Sequence, residues 1–600
     1  WLIIVPFLAR LAAMADRAPL NSPDCIVSVD TPELLPVHLT LRNVDYSVRV
    51  GWRKEKQILF GVDADMRPGQ LTAVMGPSGA GKTTVLNLLT QNASGRISGS
   101  ILANGRPLTR GLKTVMNIVP QDDVLLPALT VWETLTFAAE LRLPKAHERQ
   151  ARVQELVHAL GLEECMDTPV GSVDRRGISG GQRKRVSVAM ELLTRPSVLF
   201  LDEPTSGLDS KAAEDVCSML SKIAAHGHTV VCTIHQPSWK LFSLFQSLLL
   251  LSTGEVVYHG QPQAAPEFFA RLGHPAPPNE NPVDHILRII QEYKFERIVS
   301  LVDEPMALPE VPSVKYSTSM FRQVYVLFKR NLYDQVKDVQ KFVSLCGMKV
   351  TVSILIGICW WSSASPADWT QAFSITGCLF MMVMNSMMDN IFNTIMRFPL
   401  IKMLFLREYK NGSYSSLSWF IAYMAHVIIL EAFSAVLLVT PAYFMIRLRP
   451  EVFYIALLNI FLCSCIGSTC GILAGSLAKD LQQAQGMMLP LLVPLILFCG
   501  YLIPASNISI AFRWIYYVDP FQWSFAIMRL NQFDGWVFDQ CPGIEDLTKG
   551  AFCLCTEGHP RCTGTDYLIN VAGLDPENHP MSIYFLYLFC FFAAILIPTF

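Results

Sequence analysis

Hydrophobic positions follow two different rules along this chain. Between about residues 31 and 300, short apolar runs are bounded by polar turns and charged stretches. Leu71–Met75, Val198–Leu201 and Thr229–Ile234 have the length and content of buried strands. Such runs, alternating with helix-forming segments, predict a soluble α/β domain. Beyond residue 343 the apolar runs lengthen. Those at 343–361, 371–395, 418–446, 452–478, 484–504 and 581–600 are each long enough to cross the ~30 Å hydrocarbon layer of a bilayer. They predict an all-α domain of six transmembrane helices. A Pro-rich stretch at 303–315 reads as a linker. Met320–Leu332 mixes apolar and basic residues at helical spacing, the pattern of an interfacial helix. The expected divisions are a leader at 1–30, a soluble domain at 31–300, a linker with interfacial helix at 301–342 and a membrane domain at 343–600. The last includes a polar, cysteine-containing outer loop at about 531–580.

Composition agrees with a bilayer partner: 51% of the residues are hydrophobic and 16% charged, with a mean hydropathy of +0.34. A net charge of −2 lends no support to a nucleic-acid partner, so none is expected.

The candidate chemistry lies in the soluble domain. Gly76, Pro77, Ser78, Gly79, Ala80, Gly81, Lys82, Thr83 and Thr84 follow one strand run and open a helical segment. That order is the setting of a phosphate-binding loop. Glycines let backbone N–H groups close on phosphate oxygens, and the helix N-terminus adds its dipole. Lys82 is expected to reach the β- and γ-phosphates, and Thr83 to hold Mg²⁺. The run Val198–Leu201 delivers Asp202 and Glu203. Asp202 is expected to bind Mg²⁺ through water, and Glu203 to orient the attacking water. Gln121 is a candidate metal or water contact, and His235 a candidate γ-phosphate contact. Either Tyr46 or Trp52 could stack on a base. The basic run Gln182–Arg185 reads as a solvated helix start near phosphates.

A nucleotide-binding domain must face the cytosol, and this orients the spans. The segment 397–417 carries Arg397, Lys402, Arg407 and Lys410 and is expected as a cytosolic loop. Arg447 and Arg449 fall on the predicted outer side and break the charge rule. The apolar run 1–13 resembles a signal peptide, which suits a cytosolic domain poorly, and Met14 offers an alternative start. Residues are expected to be missing at the C-terminal end as well. Cys541, Cys553, Cys555 and Cys562 fall in the outer loop and are disulfide candidates, with zinc or free thiols as the alternative. Inside the spans, Lys349 is expected to snorkel. Asp389 and Asn385 share a helix face and are candidates for a substrate path or for helix pairing, and Glu431 for a structural pair.

These residues together resemble the G subfamily (White-type) of ABC transporters. The resemblance rests on Gly76–Thr83, on Ser179, Gly180, Gly181 and Gln182 of a signature-type loop, and on Asp202-Glu-Pro-Thr-Ser-Gly-Leu-Asp209. It rests also on Thr233-Ile-His-Gln-Pro237, on Arg407-Glu-Tyr409, on Asn531-Gln-Phe533, and on a soluble domain that precedes six spans. It implies an α/β P-loop ABC ATPase domain followed by an all-α transmembrane domain of six helices, in the plasma membrane or an intracellular membrane. It implies a half-transporter that pairs with a second one, as homodimer or heterodimer, so that each phosphate loop faces the other copy's signature loop and Asp209. ATP and Mg²⁺ are the implied cofactors, and a hydrophobic or amphipathic lipid, sterol, pigment precursor or drug the implied substrate. The alternative is an ATP-dependent regulatory or gating subunit; a soluble ABC ATPase does not fit six spans. Ile178 opens the signature where Val or Leu is usual, Asn281-Pro-Val-Asp-His285 replaces a commoner sequence, and Tyr501-Leu502 stands at a gate of paired leucines. Met382 and Asp389 stand where drug-exporting members carry aromatics, which leaves the substrate open.

Overall fold

The computed structural model describes residues 34–50, 54–108, 115–172, 175–278, 280–293, 317–361, 363, 370–478, 480–503, 507–537, 563–570 and 572–599. The leader at 1–30, the 303–315 linker, Trp52 and the four outer-loop cysteines lie outside these residues. The chain divides into two compact units: Trp1–Lys337 with Leu404–Trp419, and Asp338–Met403 with Phe420–Phe600.

The first unit is built on a six-stranded sheet of order β10-β9-β3-β8-β7-β6, comprising β3 (Leu71–Met75), β6 (Met116–Val119), β7 (Val198–Leu201), β8 (Thr229–Thr233), β9 (Ser247–Ser252) and β10 (Glu255–Gly260). β9, β3, β8, β7 and β6 run parallel, and β10 closes one edge antiparallel. β3, β7 and β8 are buried at every residue. Burial on both faces explains their unbroken apolar sequences. Parallel strands bring their C-terminal ends to one edge, where ligands of such sheets bind. A second, antiparallel sheet of order β2-β1-β4-β5 comprises β1 (Leu39–Val50), β2 (Lys54–Met66), β4 (Arg96–Ala103) and β5 (Arg106–Pro107).

The unit also holds the helix Met320–Lys337. Its Lys337 pairs with Glu133, whose second partner is the Tyr333 hydroxyl at 2.8 Å. Glu133 meanwhile closes a capping box with Thr130 at the start of helix Val131–Arg142. Burial would raise the Glu133 carboxyl, but Lys337, the Thr130 amide and Tyr333 hold it below its usual range.

The helices long and apolar enough to span a membrane are Val339–Cys359, Gln371–Lys410, Ser416–Ile446, Pro450–Leu477, Leu481–Phe498 and Met581–Thr599, and all of them but the stretch Leu404–Trp419 belongs to the second unit. Only 22% of the first and 11% of the last is buried, which leaves apolar faces for lipid to cover. Gly467, Gly471 and Gly475 form a stripe on the fourth span. A Cβ on them would come within 2.7 Å of Met387 O, 2.8 Å of Thr394 Cβ and 3.0 Å of Phe398 Cβ. Small residues thus let the second and fourth helices touch backbone to backbone.

Two expectations need correction. The predicted cytosolic loop 397–417 is helical as far as Lys410, because one helix runs from Thr370 to Lys410 with Pro399 inside it. An internal proline costs one backbone hydrogen bond and kinks a helix without having to end it. Lys349 does not snorkel. It is 4% exposed, pairs with Asp389 at 2.6 Å and donates to Asn390 at 3.2 Å. The exception at Arg449 also has a cause: its guanidinium donates to Asp534 O at 2.6 Å, at the carbonyl end of helix Pro520–Phe533.

Candidate functional site

The phosphate loop leaves β3 and turns into helix Lys82–Leu89. Its glycines are dictated by backbone geometry. Gly76 has φ 152°, and a Cβ there would lie 2.2 Å from Leu251 O. Gly81 has φ 99° and would drive a Cβ into Leu59 at 2.6 Å. Gly79 has φ 81° and faces open space. Ser78, Gly79 and Thr83 are exposed, whereas Ala80 is buried. No side chain caps the helix, so its N-terminal N–H groups are left for a ligand. Lys82 is 7% exposed, and its Nζ donates to Gly76 O at 2.8 Å and Pro77 O at 3.1 Å. Burial pulls its ammonium below the usual lysine range, while Glu203 and Asp202 act to raise it.

Those carboxylates arrive at the end of β7. The register pairs Leu201 with Cys232, so Asp202 comes beside Thr233. The Thr233 hydroxyl donates to Asp202 Oδ1 at 2.7 Å and accepts the Glu203 backbone N–H at 2.8 Å. This second bond holds Glu203 at φ 42°, a left-handed conformation that carries strain in a non-glycine residue. The Gln121 side chain donates to Glu203 Oε2 at 2.9 Å. His235, at the end of β8, lines an open cleft of about 430 Å³ with Gly76, Pro77, Ser78, Gln236, Leu287 and Gln291. The structure thus gathers Lys82, Asp202 and Glu203, links Gln121 to Glu203, and puts His235 on a cleft with the phosphate loop. Tyr46 is 5% exposed and packed in the core, which removes it as a stacking surface.

Thr83, Gln121 and Asp202 offer a hydroxyl, an amide and a carboxylate, the hard oxygen set that Mg²⁺ prefers. No cluster of three His, Cys, Asp or Glu side chains suited to a metal occurs among the described residues. In sites that take Mg²⁺ with few protein ligands, waters and substrate phosphate oxygens fill the remaining positions.

The signature-type loop opens helix Gly180–Leu192. Ser179 and Gln182 form a reciprocal capping box at 3.2 and 2.9 Å, so their side chains hold the helix start. Ser179 and Gly180 are exposed. A Cβ on Gly181 would reach Ala212 at 3.1 Å. Asp209 caps the helix Ser210–Ala225 through Ala212 N at 3.4 Å. The cleft beside the phosphate loop has no lining residue from 178–182.

Residues 59–206 match the family described as "ABC transporter", and residues 235–309 and 322–533 match families described as "ABC-2 type transporter". The mouse broad substrate specificity ATP-binding cassette transporter ABCG2 is 32% identical over 591 residues, covering 89% of this chain and 89% of its own. This chain belongs to the G family of ABC transporters. Other G-family relatives include ABC transporter G family member 22 of Dictyostelium discoideum, 30% identical over 93% of both chains. Member 22 of Arabidopsis thaliana is 32% identical, over 81% of this chain and 72% of its own. A solved structure of cbiO1 from Clostridium perfringens, part of the ABC transporter complex cbiONQ, matches 39% of this chain and 91% of its own at 24% identity and TM-score 0.34. The G-family chain is thus an ATP-hydrolysing half-transporter that spans a membrane.

Two residues near this ABC site escape a motif reading. Thr233 joins both acids of the site, but only through a strand register that the sequence does not display. Lys184 belongs to the run expected to be solvated. It is instead 2% exposed, paired with Asp123 at 3.0 Å and donating to Gln121 O at 2.9 Å. It therefore ties the signature helix to the backbone of Gln121. Its neighbour Arg185 donates to Leu160 O and Gly161 O.

In the membrane unit, Asn385 donates to Met381 O of its own helix at 2.8 Å. Asp389 is taken by Lys349 and by Asn393 at 2.7 Å. Glu431 accepts from Ser468 at 2.7 Å, which joins the third and fourth spans.

Proposed function

We propose that two half-transporters, each with this architecture, sandwich ATP between the phosphate loop of one and the signature loop of the other, and export a hydrophobic or amphipathic molecule. The observation that carries this reading is the one-sided cleft. Gly76–Ser78, His235 and Gln236 line it, while the signature loop is exposed elsewhere on the same domain. A second copy would supply Ser179, Gly180, Gly181, Gln182 and Asp209 to the open side.

Within each site, Gly76, Pro77, Ser78, Gly79, Ala80, Gly81, Thr83 and Thr84 cradle the phosphates and Lys82 contacts the terminal ones. Thr83, Asp202 and Gln121 would hold Mg²⁺, which neutralises charge on the phosphates. Glu203, fixed by Thr233 and Gln121, orients the attacking water, and His235 contacts the γ-phosphate. Phosphoryl transfer relies on such positioning and charge stabilisation rather than on covalent help from the protein.

Closure of the domains must reach the spans. The segment Leu404–Trp419 is covalently continuous with the second and third spans and belongs to the ATPase unit. Arg330 holds Glu408 at 2.6 and 3.0 Å, Arg142 holds Glu191 at 2.7 Å, and Arg407 lies 3.6 Å from Glu191. Arg407 also donates to Val124 O and Asn411 to Ile118 O, just beyond and just before Gln121. This buried cluster is the proposed transmission element.

The test is the ATPase rate of the purified chain in lipid nanodiscs, with Glu203→Gln as control, across sterols, phospholipids and amphipathic drugs. Stimulation by one class, absent in the control, supports the exporter and names its substrate. A control-sensitive rate indifferent to every ligand, with no transport, would favour a regulatory subunit instead.

A further inference from the structure

Helix Pro520–Phe533 is buried along its whole length, and it carries an arginine. Arg529 is 4% exposed. A guanidinium cannot shed its proton in a protein, so its burial calls for an anion or for hydrogen-bond acceptors. Other buried arginines in this chain have one. Arg142 meets Glu191 and Arg330 meets Glu408.

Arg529 has no such partner among the described residues. Its Nε–H is enclosed without an acceptor. Its close contact is the face of Phe525, 4.2 Å from the guanidinium carbon. A cation–π contact offsets only part of a buried ion's lost hydration. The helix's own acid does not help. Asp519 caps the N-terminus through Phe521 N at 2.9 Å, and ten residues of helix separate it from Arg529 by roughly 15 Å. After burial itself, the titratable groups that Arg529 feels are Tyr516, Tyr567, Cys499 and Tyr584. The three tyrosine hydroxyls can donate to an anion, and the Cys499 thiol weakly, but none of the four is a carboxylic acid. Tyr567 already shares a hydrogen bond with Thr376 at 2.8 Å, and Gln522 donates to Tyr516 at 3.1 Å, so these phenols are held in place.

We propose that Arg529 is the seat of an anionic headgroup, a phosphate, sulfate or carboxylate carried by an amphipathic molecule. Phe525 fixes the guanidinium from one face, and the neighbouring phenols complete the donor set. The anion has two possible sources, a lipid of the bilayer or a transported amphiphile. The second source rests on the exporter reading above; the first does not.

The experiment compares wild type, Arg529→Gln and Arg529→Lys as full chains in nanodiscs. The discs are phosphatidylcholine alone, or phosphatidylcholine with phosphatidylglycerol. Oleate is added to the first set, with oleyl alcohol as the uncharged control. Thermal midpoint and ATPase rate are both read. A lipid source predicts that phosphatidylglycerol raises the wild-type midpoint. An amphiphile source predicts that oleate raises the midpoint and oleyl alcohol does not. In either case Arg529→Gln loses the response, with half-maximal concentration rising roughly tenfold or more, and Arg529→Lys keeps part of it. Should Arg529→Gln fail to fold, the partial response of Arg529→Lys still decides. A wild type indifferent to both anions, or variants that respond as wild type does, would assign the counter-charge to the chain itself and overturn the proposal. If only the exporter reading fails, the midpoint shift survives while the ATPase rate ignores oleate.

Discussion

Glu408→Gln removes one of two negative charges from a buried cluster that holds three positive ones. Arg142, Arg330 and Arg407 face Glu191 and Glu408, with the Arg330–Glu408 side chains 6% and 4% exposed. Without Glu408, three guanidinium groups share one carboxylate, and breaking a buried pair in this way costs about 3–5 kcal/mol. Arg330→Met is milder. It leaves two cations and two anions, and Glu408 keeps the Tyr414 hydroxyl at 2.7 Å and the attraction of Arg142. Its cost is about 1–3 kcal/mol, the loss of charge-assisted hydrogen bonds. At roughly 2–4 °C per kcal/mol for a domain of this size, Glu408→Gln lowers the midpoint by roughly 6–20 °C and Arg330→Met by less. The double variant should fall short of the summed losses by about 2 kcal/mol, because the two side chains are in direct contact. The assay is thermal loss of ATP binding by the full chain in nanodiscs. Equal single effects with an additive double would refute the reasoning, since the cluster would then not act as a charge-balanced unit.

Other expectations follow from the same geometry. Lys184→Met frees the Gln121 backbone, so kcat for ATP should fall roughly tenfold or more with KM little changed, as steady-state kinetics would reveal. Gly76→Ala places a Cβ 2.2 Å from Leu251 O and should abolish nucleotide binding, whereas Gly79→Ala meets no atom within 4 Å and carries only conformational strain of about 1–2 kcal/mol; titration with a fluorescent ATP analogue separates them. Glu133 is held below its ordinary value of 4.5 by Lys337, Thr130 and Tyr333 despite burial. A depressed folded-state pKa contributes stability that is present above the unfolded value and is lost as pH falls through the folded one. Thermal midpoints measured downward from pH 5 should therefore drop more steeply in wild type than in Glu133→Gln.

What could be read from the chain was local or periodic. The phosphate loop is contiguous, and its glycines carry their backbone demands with them, so Gly76 and Gly81 announce their roles in sequence. The spans are equally plain, because twenty apolar residues have few other uses. Contacts between elements could not be read that way. Lys184 looks like one of three solvated basic residues until Asp123 and the Gln121 carbonyl fold against it. Thr233 depends on β7 and β8 pairing in one register. Lys349 sits near the middle of its helix, where snorkelling or pairing would each be reasonable, and only the packing of the second span chooses Asp389. The helix that continues past Pro399 to Lys410 was hidden by a cluster of charges that looked like a loop. Two of those charges turn inward: Arg407 joins the buried cluster beside Glu191, and Lys402 caps the fourth span at Ser476 O.

The central claim is that each ATP site is shared between two copies, and complementation tests it most directly. Lys82→Met disables a phosphate loop, and Gly181→Asp disables a signature loop. Each variant alone should assemble but hydrolyse no ATP. A mixed dimer, isolated by two different tags, keeps one site with an intact phosphate loop from one copy and an intact signature from the other. By two-fold symmetry it should recover up to about half of the wild-type rate. A purified mixed dimer with no more activity than either parent would contradict a shared site.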